Sequence, residues 1–405
     1  MGHLRHRMGA AGATLATALG TATFAHGAPT TQGGTLDANA ESVTTVRAVA
    51  AGMNHTLVLR SDGTVWGVGD NTQAQLTGDP TLPDAWRNPY WRKLAGQRSG
   101  VPATRVWAAD RGSFVYAGGR LRAAGDNYWN QLGVTGGDKT SLTPVTGLPT
   151  GAPLSLSGRY DLTLVVGSDG RVYGAGDTPE VPDGQGFHRL AALPSGSARE
   201  VSVNDHGSYV RTSTGRIYGL GMRRCLQSTS TEYAWVTRWR ALKALPGGRK
   251  PAQLAATDCG LVVRTTDGRV YGTGSNDTGQ LTGSATWYDG WKRLSLPSSD
   301  AAARRIAYVD GDATLVATRT RLYGTGANHR GQLGRPVSGP ARSLVQARWW
   351  PKRLGVAEIS GGRDFAVALT TTSRAYGTGW NYNRQLARTT AGYRDSYAVL
   401  GSRTE

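Results

Sequence analysis

The chain has 405 residues, 57 of them glycine, a formal net charge of +18 and only two cysteines. Beyond the first 30 residues no stretch is long and apolar enough to span a bilayer, and no His-x-x-x-His, Cys-x-x-Cys or Gly-x-Ser-x-Gly spelling offers a zinc site or a nucleophile elbow. The positive charge favours anionic partners through long-range attraction, which admits nucleic acid, acidic wall polymers and acidic proteins.

The N-terminus, MGHLRHRMGAAGATLATALGTATFAHGAPT, has a basic start at Arg5 and Arg7, an apolar stretch from Met8 to Phe24 and small residues at Ala25, Gly27 and Ala28. This is the layout of a secretory signal over residues 1–27, followed by a flexible segment over 28–43. The expected product is secreted or associated with the cell envelope, and the mature part keeps a charge of +16. Outside the cell, nucleic acid is not an expected partner.

From residue 44 onward one unit is repeated. The second glycine of a Gly-x-Gly spelling falls at Gly69, Gly125, Gly176, Gly221, Gly274, Gly326 and Gly379, at intervals of 45 to 56 residues. A near-constant period marks a repeat architecture rather than seven phosphate loops. Two residues past the marker stands Asn71, Asn127, Asn276, Asn328 or Asn381; six past it stands Gln75, Gln131, Gln227, Gln280, Gln332 or Gln385. The third copy has Thr178 and Pro182 instead.

Each unit reads as four short strands, A to D. VRAVAAG from Val46 is a first A strand, and HTLVLRSDGTVWGVG from His55 is a B–C hairpin closed by Asp-Gly. A D strand follows a variable loop, with an aromatic three residues before a leucine: Trp91, Phe187, Trp239, Trp291 and Tyr397. Four-stranded units at this period are blades of an all-β, seven-bladed β-propeller. The last strand, near Tyr397, is expected to pair beside the strand begun at Val46 and so close the ring.

The pattern in AGMNHTLVLRSDGTVWGVGDNTQAQL, from Ala51, resembles the repeat of the regulator of chromosome condensation family. The resemblance covers about Val46 to Leu400 and implies a seven-bladed propeller, with copies two to four departing most from the pattern. The family's eukaryotic namesake is a nucleotide exchange factor for a nuclear GTPase. Such a partner is not met outside the cell, so exchange activity is not expected here. In architecture and export the chain is also similar to the propeller-type β-lactamase inhibitory proteins, although no inhibitor residue carries over.

Function must then be argued from loops. Cys225, in the C–D loop of unit four, and Cys259, in the A–B loop of unit five, emerge on one face, where they either form a disulfide or remain two buried thiols. On that face the loop residues are Asp70, Asp126, Tyr128, Trp129, Arg223, Arg224, Asp277, Trp287, Tyr288, His329, Arg330, Trp380, Tyr382 and Asn383, the aromatics among them varying from copy to copy. Aromatic and arginine side chains dominate binding energy at protein interfaces, so this set predicts a protein-recognition face, an inhibitor of an extracellular enzyme being one form of it.

Basic residues on the D strands, Arg92, Lys93, Arg189, Arg240, Lys292, Arg293, Lys352 and Arg353, would instead form a rim for an anionic envelope polymer, or merely protect exposed edges. An enzyme site built from axial loops would draw on Asp70, Asp126 and Asp177, whose simpler role is capping turns. His55 and His206 read as structural, and no cofactor or metal is expected.

Overall fold

The computed structural model describes residues 45–400 apart from 82–84, 183, 229–232, 298–299, 301, 349, 352–353 and 389–391. The expected signal and N-terminal segment, and Trp349, Lys352 and Arg353, lie outside the described residues. The described strands form seven four-stranded antiparallel sheets, each built from four consecutive strands. The first blade is Val46–Ala51, His55–Arg60, Val65–Gly69 and Asn88–Lys93, and its hydrogen-bonded order is the chain order. The A strands contact one another around the axis and the D strands lie at the rim. Middle strands such as Leu162–Val166 are buried at every residue because neighbouring blades cover both faces, whereas a D strand such as Ala341–Gln346 buries only Leu344.

The marker glycines have a steric task. Gly69 has φ +110° and Gly274 φ +101°, and a Cβ at either would come within 2.5 Å of the carbonyl oxygen just before strand B, Asn54 O or Cys259 O. The other five markers have the same sign of φ and the same close carbonyl. Only glycine allows this approach, and in the blades with a full outer strand the C–D ladder bulges there. The Gly-x-Gly spelling is therefore structural.

The ring closes differently from expectation. Tyr393–Val399 pairs with Ala375–Trp380, and Val46–Ala51 pairs with His55–Arg60, so the two terminal strands do not pair with each other. They sit on opposite edges of their blades, one at the rim and one at the axis. Closure comes from side chains that satisfy the exposed edges of the A strands. Ser155 Oγ accepts from Val201 N (3.0 Å), Glu200 Oε1 from Leu254 N (3.0 Å), Gln253 Oε1 from Ile306 N (3.1 Å) and Glu358 Oε2 from Val49 N (3.1 Å). A second row runs from Ser157 to Val203, Ser202 to Ala256 and Ser360 to Ala51. An inner edge strand buried against its neighbour leaves donors that must find acceptors, and in blades three, four, five and seven a polar side chain of the A strand supplies them.

Around the outside, Trp239 Nε1 donates to Ala191 O (2.9 Å) and Trp291 Nε1 to Lys243 O (2.8 Å), docking each outer strand on the preceding blade. The outer strand of blade six is Ala341–Gln346, earlier in the chain than the Lys352 and Arg353 expected to mark it. Arg342 is the basic residue there.

Candidate recognition face

The recurring asparagine and glutamine build the C–D loops. Asn71 Oδ1 accepts from Leu76 N (2.7 Å), and Asn127, Asn276, Asn328 and Asn381 repeat the bond five residues ahead. Gln75 Oε1 accepts from Gln73 N, and the same bond recurs from Gln131 to Trp129, Gln280 to Thr278, Gln332 to Arg330 and Gln385 to Asn383. Constant side chains thus hold a variable loop tip in fixed geometry. Blade three lacks both and keeps an outer strand of two residues, His188–Arg189. Asn276→Ala leaves the buried Leu281 N–H without its acceptor and is expected to cost about 1 kcal/mol, read by denaturant unfolding.

Aspartates near the start of the C–D loops cap them. Asp70 Oδ1 accepts from Thr72 N (2.8 Å), Asp126 Oδ1 from Tyr128 N (2.9 Å), and Asp277 Oδ2 from Ser275 Oγ (3.1 Å). His55 is buried, its pKa pushed down to about 3 by burial, so it packs as a neutral ring beside Ser113.

Four of the expected face residues form one continuous stack. The Arg330 guanidinium, from blade six, lies 4.1 Å from the Trp380 ring centre in blade seven. Trp380 is 5.5 Å from Tyr382, and Tyr382 is 5.7 Å from Trp86 of blade one. The Arg87 guanidinium sits 4.2 Å from Tyr382 and 3.6 Å from Trp86, and Asn383 Nδ2 donates to Trp86 O (3.0 Å). Tyr382 and Trp86 remain 42% and 38% exposed, so the stack is ordered without being covered. Trp86 and Arg87 escaped the sequence reading of the face: their loop touches blade seven only because the ring closes across 297 positions of chain.

The remaining residues fall into separate groups. Tyr128, 76% exposed, meets Trp129 edge to face at 4.8 Å, with Asp126 beneath paired to Arg111 at 3.7 Å. Arg224 lies 4.0 Å from the Trp287 ring. Trp287 and Tyr288 are not loop residues: they open the outer strand Trp287–Leu294 and are half-buried, their strand having started earlier than the aromatic-x-x-Leu marker suggested. Arg223 begins a short 3-10 turn through Leu226, and His329 faces Asp364 at 3.3 Å. Cys225 and Cys259 are bonded, joining that turn to the A–B loop of blade five.

The A–B loops ring the axis on this face. Asp110 and Asp310 are buried there, and burial followed by the charge of Asp205 pushes both carboxyls well above the usual range. Asp205, pushed up to about 6 by burial, lies 3.5 Å from Arg159, which also reaches Asp161 at 3.1 Å. Among the described residues no group of three or more His, Cys, Asp or Glu is placed to hold a metal ion, and no helix is long and apolar enough to cross a membrane.

Residues 46–75 match the family model of the regulator of chromosome condensation (RCC1) repeat. No curated protein matches the sequence. Among solved structures, Prp20p from Saccharomyces cerevisiae, described with its binding to Gsp1p and histones, is 15% identical with a TM-score of 0.65, over 87% of this chain and 91% of its own. Yeast RCC1 (Prp20) bound by Kap60 is 15% identical with a TM-score of 0.51, over 88% and 75%. Human WBSCR16 is 16% identical with a TM-score of 0.50, over 95% and 94%. At these identities the likeness is one of fold. The chain is a seven-bladed β-propeller that carries a regulator of chromosome condensation repeat in its first blade and is similar in fold to Prp20p.

Proposed function

We propose that the protein is an exported recognition module that grips a protein partner through the A–B and C–D loop face. The observation that carries this reading is the Arg330–Trp380–Tyr382–Arg87–Trp86 stack, which spans three blades and stays open to solvent. Each cation–aromatic contact contributes about 0.5–2 kcal/mol and fixes rotamers before a partner arrives, which lowers the ordering cost of binding. Propellers of this fold are described with protein partners: Prp20p with Gsp1p and histones, yeast RCC1 with Kap60. Export is supported by the layout of the N-terminus and by a disulfide, a bond that persists in oxidising compartments. Inhibition of an extracellular enzyme is one way such a grip would act.

The test is retention of proteins from the producer's culture and envelope fractions on immobilised protein, compared with Arg330→Ala/Tyr382→Ala at high salt. A discrete protein is expected on the unmodified chain and at least tenfold less of it on the variant. Equal retention on both would remove the stack from function, and material released by salt from both would shift binding to the basic rim. Sequencing the N-terminus of the secreted protein, expected to begin near residue 28, checks export separately.

A further inference from the structure

The opposite end of the axis has its own chemistry. There, where the A strands begin and the B–C turns lie, a cavity of about 460 Å³ opens between blades two to five. Arg105, Arg199, Arg211 and Lys250 line it, together with the hydroxyl residues Thr212, Ser213 and Thr266, and no lining side chain is acidic. The blade-four carboxylate Glu200 is buried and already engaged: its Oε2 accepts from Arg211 Nε (2.8 Å) and its Oε1 from Leu254 N (3.0 Å), while Asp267, next to the lining Thr266, is paired with Arg249 (3.1 Å) and Arg269 (3.5 Å). The Glu200 bonds hold Arg211 in place without neutralising its three basic neighbours. On the adjoining strand of blade five, Arg264 is held below the usual guanidinium range by burial and then by the charge of Arg305, with Glu200 opposing and Arg211 and Arg304 adding to the shift, a sign of like charges crowded together.

Like charges brought together from blades two, four and five repel, and a solvated rim would not need them to converge on one concavity. A compact polyanion would relieve that repulsion, and guanidinium forks match phosphate oxygens in charge and geometry. The volume lies in the range of small-molecule sites. We propose that this mouth binds a compact oligophosphate, a group carrying two or more phosphates, and so forms a second site on the face opposite the aromatic stack.

The test is calorimetric titration of the full chain with sodium tripolyphosphate, at about 50 and 300 mM salt. Saturable binding of one equivalent is expected, at least tenfold weaker in Arg199→Gln/Lys250→Gln, both exposed positions whose change leaves the fold intact by circular dichroism. Arg92→Gln/Lys93→Gln, which removes the same charge from the outer strand of blade one, is expected to stay within twofold. No binding to the unmodified protein, or equal loss in both variants, would overturn the proposal. Sedimentation with vesicles containing phosphatidylinositol bisphosphate identifies the source of the phosphate. Binding to vesicles that is competed by tripolyphosphate and lost in the mouth variant puts it on a lipid, and binding in solution alone puts it on a soluble compound.

Discussion

Replacing Cys225 and Cys259 together by serine is expected to lower the unfolding free energy by about 4 kcal/mol. The bridge closes a loop with a sequence separation of 34 residues, and constraining the unfolded chain over that span is worth this amount in the chain-entropy account. The bridge also fastens the Arg223–Leu226 turn of blade four to the A–B loop of blade five. Cys225 is fully buried, and its carbonyl accepts from the equally buried Tyr209 hydroxyl (2.8 Å), so serine there also trades packing for an unmet hydroxyl. Denaturant titration of the oxidised protein against the double variant measures the difference. A loss below about 1 kcal/mol would mean that blades four and five dock without help from the bridge. The variant is also expected to loosen Arg224 over Trp287, since the residue adjoins the lost link.

The blades were legible because the constraints that define them are local. A marker glycine is forced by a carbonyl a few Ångström away in its own blade, and Asn71 and Gln75 bond to residues two to six positions distant. The glycine requirement recurs in all seven copies and the side-chain ones in most, and together they show as a period. The disulfide could be anticipated because adjacent loops of adjacent blades face the same way. What could not be read were contacts set by closure. Trp86 and Arg87 belong to the aromatic stack only through blade seven, and the pairing of the last strand with the first was a wrong expectation, because nothing local shows that the chain begins and ends on opposite edges of a blade. Nor did the polar residues on the A strands, Ser155, Glu200, Gln253 and Glu358, stand out. Their chemistry differs while their task, accepting from the next blade's backbone, is the same.

That shared task leads to a second expected result: Glu358→Gln stabilises the protein at pH 8 and leaves it nearly unchanged at pH 4.5. Burial raises the Glu358 carboxyl to about 7, while the hydrogen bond from Val49 N and the charge of Arg305 pull it down less strongly. Between its ordinary value and about 7 the folded protein therefore keeps a proton that the unfolded chain releases. Stability falls as pH climbs through that window and levels off above it. A displacement of this size corresponds to about 3 kcal/mol, and solvent contact along part of the half-buried side chain brings the expected gain to about 2 kcal/mol. Glutamine keeps the acceptor for Val49 N without the charge, and blade five already uses it so: Gln253 accepts from Ile306 N (3.1 Å) and donates to Ile306 O (2.9 Å). Asp205, raised to about 6, slopes the same way, so the variant should retain a shallower pH dependence rather than none. Denaturation of both proteins at pH 4.5 and 8 decides the matter. If the variant is weaker at both, the carboxylate is charged and works as the ionic partner of Arg305. If it gains only at pH 8, the Glu358 link between blades seven and one is a neutral hydrogen bond rather than an ionic one.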